Sequence, residues 1–453
     1  MRTFDVVVIG AGPAGEVVAG RLAGDGLETV LVERELVGGE CSFWACMPSK
    51  ALLRPAEILA EVRRVPGAAE AVTGSLDVTA TLRRRDEVIH SLDDASQLPW
   101  LEDRGVTLVR GEATLTGERT VQVGDETLEA RRAVVLATGS SALIPPIEGL
   151  TDANPWTNRQ VTTTSRVPES LVILGGGVVG VEMAQAYGSL GARVTLIEAL
   201  DRLIAKEEPF ASEQVAEALG AHGVTVHLGR KATRVSREAG QTSVTLEDGT
   251  IATGEELLVA IGRRPRTQAV EGLDYEPGTP VEVDQWLRST RHEWLYAIGD
   301  VNGVALLTHM GKYQASIAAD HITGRRTHTQ QAANGLQSPR VIFTDPQVAA
   351  VGHTLASAQE AGLAVRCVEV QTSGNAGGSF LGRGAPGTAR MIVDEQRRVV
   401  VGATVTGAEV ADYVQPFTIA IVGEVPVDRL WHAVPPFPTR SELWLRLLES
   451  YGR

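Results

Sequence analysis

Residues 4–15 read FDVVVIGAGPAG, an unbroken apolar run followed by glycines at positions 10, 12 and 15. The run predicts a strand buried on both faces, and the GxGxxG spacing predicts a tight turn opening a helix that extends through Ala23. Glycines so placed let a pyrophosphate approach the backbone N–H groups of a helix N-terminus. A second strand, residues 29–33, ends in Glu33, 23 residues beyond Gly10. An acid at that distance accepts from the hydroxyls of a ribose. Strand, glycines, helix and acid in this order predict a dinucleotide-binding unit.

The plan recurs. Residues 171–180 read LVILGGGVVG, supplying Gly175, Gly177 and Gly180, and the following strand closes on Glu198, again 23 residues after the first glycine. Each unit is followed by short alternating segments and a further apolar strand. VVLATGS ends the first, where Ala137, Thr138 and Gly139 bring backbone close to a ligand or to the first sheet, and LLVAIGRRP ends the second, with Gly262 in the matching place. Two such units in one chain predict two different nucleotides with electrons passing between them. Glu198 favours a free 2′-hydroxyl, hence NADH over NADPH, although Arg202 lies near enough to serve a 2′-phosphate.

Just after the first unit, residues 38–50 read GGECSFWACMPSK and hold two of the three cysteines, Cys41 and Cys46. Residues five positions apart on a regular helix are roughly 8 Å apart at Cα and face different sides, beyond the ~7 Å that a disulfide spans. The turn must therefore be distorted, and Gly38, Gly39 and Pro48 supply the means. A strained, accessible bridge is more easily reduced than a structural one.

At 453 residues the length predicts about three domains. The formal charge of -14 disfavours nucleic acid and anionic membranes as partners. The opening MRTF leads straight into the first strand and leaves no room for a signal peptide, and apolar stretches are interrupted before membrane-spanning length, so a cytoplasmic chain is expected. In a reducing compartment a close cysteine pair points to catalysis. Cys367, alone in an alternating run, reads as a small buried hydrophobe. No metal site is expected.

Between the two units, residues 51–64 and 79–104 read as helical, with Arg83, Arg84 and Arg85 on a solvated face, and residues 105–136 as a small antiparallel ribbon. WLYAIGDV predicts a short strand ending at Asp300, followed by a helix from about Leu307 to Gly324. From Arg340 the character changes to alternating strands, a glycine-rich turn at 374–387, an apolar helix near 408–422 and a Pro-rich tail. Without a nucleotide motif, this last region reads as an association domain.

GAGPAG, GGxCxxxxCxPSK, ATG, GGGVVGVE, AIGRRP, AIGDV, TDPQVAAVG and the closing PTRSE together resemble the FAD-dependent pyridine nucleotide disulfide oxidoreductases, the family of dihydrolipoamide dehydrogenase, glutathione reductase and mercuric reductase. The resemblance runs essentially end to end. It implies an α/β fold with two Rossmann-like dinucleotide-binding domains, for FAD and NAD, and a C-terminal α+β dimerisation domain. The implied division is 1–149 and 266–337 for FAD, 150–265 for NAD(P)H and 338–453 for the interface of a homodimer. By the same resemblance Gly10, Gly12, Gly15 and Glu33 hold the FAD pyrophosphate and adenosine ribose, and Asp300 its ribityl or phosphate region. Ala137, Thr138, Gly139, Gly262 and His309 approach the cofactors, although His309 reads equally as a residue that merely starts its helix, and Gly175, Gly177, Gly180 and Glu198 hold the nicotinamide nucleotide. Cys46 becomes the thiolate against the flavin, Cys41 the interchange thiol, and Lys50 with Glu182 a pair beside flavin N5. A nearby ammonium keeps a thiol ionised below the free value of ~8.5.

The chain departs from the pattern at its C-terminus. Disulfide-reducing members carry a histidine before the PT of HPTxSE, oriented by the glutamate; here Phe437 precedes Pro438, Thr439, Arg440, Ser441 and Glu442. A positioned acid or base contributes ~10²- to 10⁴-fold. His432, five positions earlier, has no spacing that aims it at Cys41 and reads as solvent-facing. Phe43 and Trp44 stand where the reductases have small or polar residues; they read equally as helix packing and as a surface for a flat ring. A mercuric reductase lacks support, since no second cysteine pair lies near the C-terminus to hand over a soft metal. The expectation is an NADH oxidoreductase passing electrons through FAD and the Cys41/Cys46 pair to a small non-disulfide acceptor, a quinone leading. Alternatives are a small-disulfide reductase with a relocated base and a flavin-loaded subunit with a mainly structural role.

Overall fold

The computed structural model describes residues 1–270, 273, 275–330, 334–385 and 387–452, and the chain divides into two compact units. The first comprises residues 1–48, 86–143 and 263–336; the second comprises 49–85, 144–262 and 337–453. No helix among the described residues is long and apolar enough to cross a membrane.

In the first unit, strand Arg2–Ile9 pairs in parallel with Thr29–Glu33 on one side and with Glu126–Leu136 on the other. Val6, Val7 and Val8 have no solvent exposure, because a parallel sheet is covered on both faces. Leu295–Ala297 joins Glu126–Leu136 in parallel, and Ala113–Gly117 and Thr120–Val123 add an antiparallel edge. Thr107–Arg110, read from the sequence as part of that ribbon, instead pairs in parallel with Thr29–Glu33 at the other end of the sheet. Helices Pro13–Gly24 and Thr308–Ile322 lie together, close-packed where Gly311 meets Ala14.

The helix expected over 79–104 breaks up. Helix Val78–Val88 ends, and His90, Ser91 and Leu92 take positive φ. Asp93 then accepts from Ala95 N at 2.9 Å, a local carboxylate bond that competes with helix continuation, and Asp94 accepts from the distant Val37 N at 2.7 Å.

The second unit repeats the parallel plan in the order Thr225–His227, Arg193–Ile197, Ser170–Leu174, Glu256–Val259. The three antiparallel strands Ala232–Glu238, Gln241–Leu246 and Ile251–Gly254 form the expected ribbon. After residue 337 a five-stranded antiparallel sheet runs Arg340–Ile342, Gln347–Gly352, Val399–Gly407, Thr388–Asp394, Val365–Gln371. The glycine-rich turn contains a short helix, Ala376–Ser379, and its Pro386 lies outside the described residues. Cys367 is half-buried on Val365–Gln371, not in the core, and burial pushes its thiol up.

The arginine run is also not uniformly solvated. Arg83 and Arg84 are exposed, but Arg85 is fully buried and donates to the carbonyls of Thr162 and, at 2.8 Å, Thr164. Those carbonyls end the helix Asn158–Thr163, so Arg85 supplies donors that the helix cannot. Arg85→Met is expected to strand both acceptors and cost about 3 kcal/mol, read as a lower urea midpoint; an unchanged midpoint would remove this role.

Candidate active site

The two glycine turns are built alike. Gly10 N donates to Val32 O at 2.8 Å and Ala137 N to Ile9 O at 2.8 Å; Gly175 N donates to Ile197 O at 2.8 Å and Ala260 N to Leu174 O at 2.7 Å. Gly10 and Gly175 have φ of +101° and +109°, left-handed values that favour glycine, and a Cβ on either would strike the carbonyl of Ala137 or Ala260. Gly15 and Gly180 each sit against the carbonyl of the first glycine in their own turn. Gly12 and Gly177 are the N-caps of Pro13–Gly24 and Val178–Ser189, neither capped by a side chain, and a Cβ there would meet no protein atom within 4 Å. Open space over uncapped helix N-termini is a cradle that fits a pyrophosphate.

Each acid closes on its own turn. Glu33 accepts from Ala11 N and Glu35 N, both at 2.7 Å; Glu198 accepts from Gly176 N at 2.5 Å and Leu200 N at 2.8 Å. Every carboxylate oxygen retains a second lone pair for a ribose hydroxyl. Arg202 donates to Glu207 O at 2.8 Å and Ala205 O at 2.6 Å, so its guanidinium is engaged by its own loop. Glu16, in the first turn of Pro13–Gly24, has its carboxyl pushed up from 4.5 to about 7 by burial, against the Lys312 charge.

The cysteine turn is distorted as expected, though not at Pro48. Helix Gly39–Phe43 stops at Trp44, and a new helix starts at Cys46, with Pro48 in its first turn where no donor is required. Gly38 and Gly39 take positive φ, and Gly39 lies against Gly12. Cys41 and Cys46 are half-buried thiols in mutual hydrogen-bonding contact. That bond and burial push the Cys41 thiol up, while the Thr308 hydroxyl and the Lys312 charge act against them. The Thr308 hydroxyl also lies 3.3 Å from the Cys46 sulfur, at the N-terminus of the 15-residue helix Thr308–Ile322, where negative charge is favoured. Phe43 is buried, which decides its reading as packing; Trp44 is half-buried, its ring centre 5.8 Å from that of Phe43.

Around Asp300 the first unit gathers a polar cluster. Ser140 donates to Asp300, Arg263 Nε donates to Ser140 Oγ at 2.6 Å, and Thr138 Oγ1 donates to Arg266 O at 2.5 Å. Gly139 O accepts from Arg266 N at 2.9 Å. His309, singled out from the sequence, is exposed beside Thr308.

In the second unit Lys50 Nζ donates to Glu182 Oε2 at 2.6 Å and stands 4.8 Å from the centre of the Phe343 ring. Glu182 is 3% exposed, and its other oxygen accepts from Phe343 N at 2.9 Å. Gly262 follows the strand Glu256–Val259. At the C-terminus Phe437 is 76% exposed. Glu442 opens the helix Glu442–Tyr451, buried, and its Oε2 has no hydrogen-bond partner among the described residues. His432 is exposed.

The sequence reading missed Thr308, Ser140, Arg263, Arg266 and Glu40. The AIGRRP motif contains Arg263, and Arg266 follows it directly, but their partners lie more than a hundred residues away. Thr308 could have been found as the residue opening a helix expected from about 307.

The family model described as pyridine nucleotide-disulphide oxidoreductase matches residues 4–334, and the corresponding dimerisation domain matches residues 338–447. A dihydrolipoyl dehydrogenase of Chlamydia muridarum is 32% identical over 98% of this chain and 96% of its own, and one of Thermus scotoductus is 32% identical over 99% and 98%. A mercuric reductase of Staphylococcus aureus is 27% identical over 97% of this chain and 81% of its own. Among solved structures, the HOCl-induced flavoprotein disulfide reductase RclA from Escherichia coli superposes with a TM-score of 0.87 at 24% identity, covering 99% of both chains. LpdA from Mycobacterium tuberculosis superposes at 0.86 and 23% identity over the full length of both.

Proposed function

Because the chain belongs to the pyridine nucleotide-disulphide oxidoreductase family and is an FAD-dependent enzyme using NAD(P)H, we propose that it oxidises NADH and reduces a small non-disulfide acceptor, a quinone leading. When bound, FAD supplies hydride acceptance from the nicotinamide and two-electron delivery to the cysteine pair. In this reading Cys46 carries the thiolate, with Thr308 and the helix behind it as its support, and Cys41 keeps the proton and faces the acceptor. Lys50, held by Glu182, provides the positive charge beside the cofactor. Glu33 and Glu198 accept from the two adenosine riboses, and Asp300 from the flavin side chain. The preference for NADH is supported by Glu198 and by the engagement of Arg202 with Glu207 O and Ala205 O. Residues 1–149 and 266–337 serve FAD, 150–265 serve NADH, and 338–453 form the homodimer interface, which the matched dimerisation domain supports.

The acceptor assignment rests on one observation. At the place of the family histidine stands Phe437, 76% exposed and without a titratable group. Exchange with a substrate disulfide needs a base there; transfer to a quinone does not. Steady-state turnover of NADH with a naphthoquinone is expected to exceed turnover with lipoamide at least ~10²-fold. Faster turnover with lipoamide would instead favour the second reading, a dihydrolipoamide dehydrogenase with a relocated base, which the similarity to the Chlamydia and Thermus enzymes supports. Anaerobic addition of NADH tests the structural-subunit alternative: the flavin must lose its colour within milliseconds if the chain is a working enzyme.

A further inference from the structure

Glu40 immediately precedes Cys41 on the Gly39–Phe43 helix, and its side chain is 17% exposed. Its Oε1 lies 2.9 Å from Arg266 Nη2 and its Oε2 3.8 Å from Arg263 Nη2. Both arginines are themselves held. Arg266 donates its backbone N–H to Gly139 O at 2.9 Å and accepts from Thr138 Oγ1. Arg263 donates to Ser140 Oγ at 2.6 Å and Ser140 O at 2.8 Å, and its Nε stands 3.7 Å from Asp300. Strand Arg263–Pro265 is paired antiparallel with Ser140–Ala142, so the guanidinium groups project from a fixed ribbon. Two carboxylates and two guanidinium groups, all half-buried, thus alternate within one unit, from Asp300 to the residue before Cys41. The planar donor fork of arginine fixes direction as well as charge.

We propose that Glu40 is a positioning residue for Cys41, acting through Arg266 and Arg263 to hold the interchange thiol within bridging reach of Cys46. The proposal rests on the reading of Cys41 and Cys46 as a redox pair. A turn held rigid keeps the two sulfurs at high effective concentration and favours the closed disulfide; a loosened turn favours the dithiol.

The test equilibrates the FAD-loaded protein with dithiothreitol buffers of graded redox ratio and counts thiols by alkylation and mass. Dithiothreitol gives two electrons and two protons to the Cys41–Cys46 disulfide and leaves as its own cyclic disulfide. Glu40→Gln is expected to shift this equilibrium ~10-fold toward the dithiol, about 30 mV for two electrons. Arg266→Met should shift it alike, the double variant no further than either single one, and Arg266→Lys less. If Glu40→Gln does not fold, the two Arg266 variants carry the test from the other side of the link. Variants within about twofold of the parent, or single effects that add in the double variant, overturn the positioning role while leaving the redox pair intact. A parent protein that forms no Cys41–Cys46 disulfide at any ratio removes both.

Discussion

Cys46→Ser is expected to yield a folded, yellow protein in which NADH still bleaches the flavin but the long-wavelength thiolate-to-flavin charge-transfer band never appears. The Cys41 thiol is pushed up by its hydrogen bond to Cys46 and by burial, and in the proposed reading Cys46 carries the thiolate. The Thr308 hydroxyl at 3.3 Å and the N-terminus of Thr308–Ile322 stabilise it there. Serine can take the hydroxyl contact but not the charge. Electron flow that passes through the cysteines should fall on the order of 10³-fold or more, as for other essential nucleophiles. Cys41→Ser separates the two roles: the band should be present without reductant, because its thiolate is no longer consumed in a disulfide. Absorbance near the red edge of the flavin spectrum, followed through an anaerobic titration, checks both. A band in the Cys46 variant, or none in the Cys41 variant, would reverse the assignment of the two sulfurs.

Phe437→His has the second large expected effect, and its sign is a gain. The aromatic ring is exposed, so the substitution removes no core packing. Five residues on, Glu442 is buried with one carboxylate oxygen lacking a hydrogen-bond partner among the described residues, an acceptor in want of a donor. A histidine restored beside PT should therefore raise NADH-dependent reduction of lipoamide about 10²-fold, the lower end of what a positioned base provides. Its rate should acquire a rising limb near the histidine range of ~6.5 that the parent lacks. Adding Glu442→Gln to Phe437→His should cancel most of the gain, because the ring then loses the carboxylate that orients it. An unchanged lipoamide rate in Phe437→His would show that the missing base is not what excludes disulfides.

The glycine turns could be read directly because the glycine spacing and the acid 23 residues on are visible in the order of the residues. Gly10 and Gly175 are forced by left-handed φ and by a neighbouring carbonyl, and Glu33 and Glu198 close the loops at equal distance in sequence. The pairing of Lys50 with Glu182, 132 residues apart, came from family resemblance and not from spacing. Three readings failed for one reason. Thr107–Arg110 looked like ribbon, Arg85 like a solvated face and Cys367 like core, since periodicity reports a preference for burial but not which neighbour provides it.

By itself the sequence determined a chain with two nucleotide turns, a bent cysteine pair between them and a C-terminus without the expected base. Each of these shows as a short motif whose residues lie within a few positions of one another, with only the acids of the nucleotide turns standing 23 positions on. Only the tertiary structure brought the Thr308 hydroxyl to the cysteine pair, at a separation of 262 residues, and the Arg266 guanidinium to Glu40, at 226. Those outcomes depend on distances of 3–4 Å between groups remote in sequence, and Coulomb and hydrogen-bond energies fall too steeply with distance to be read from order alone.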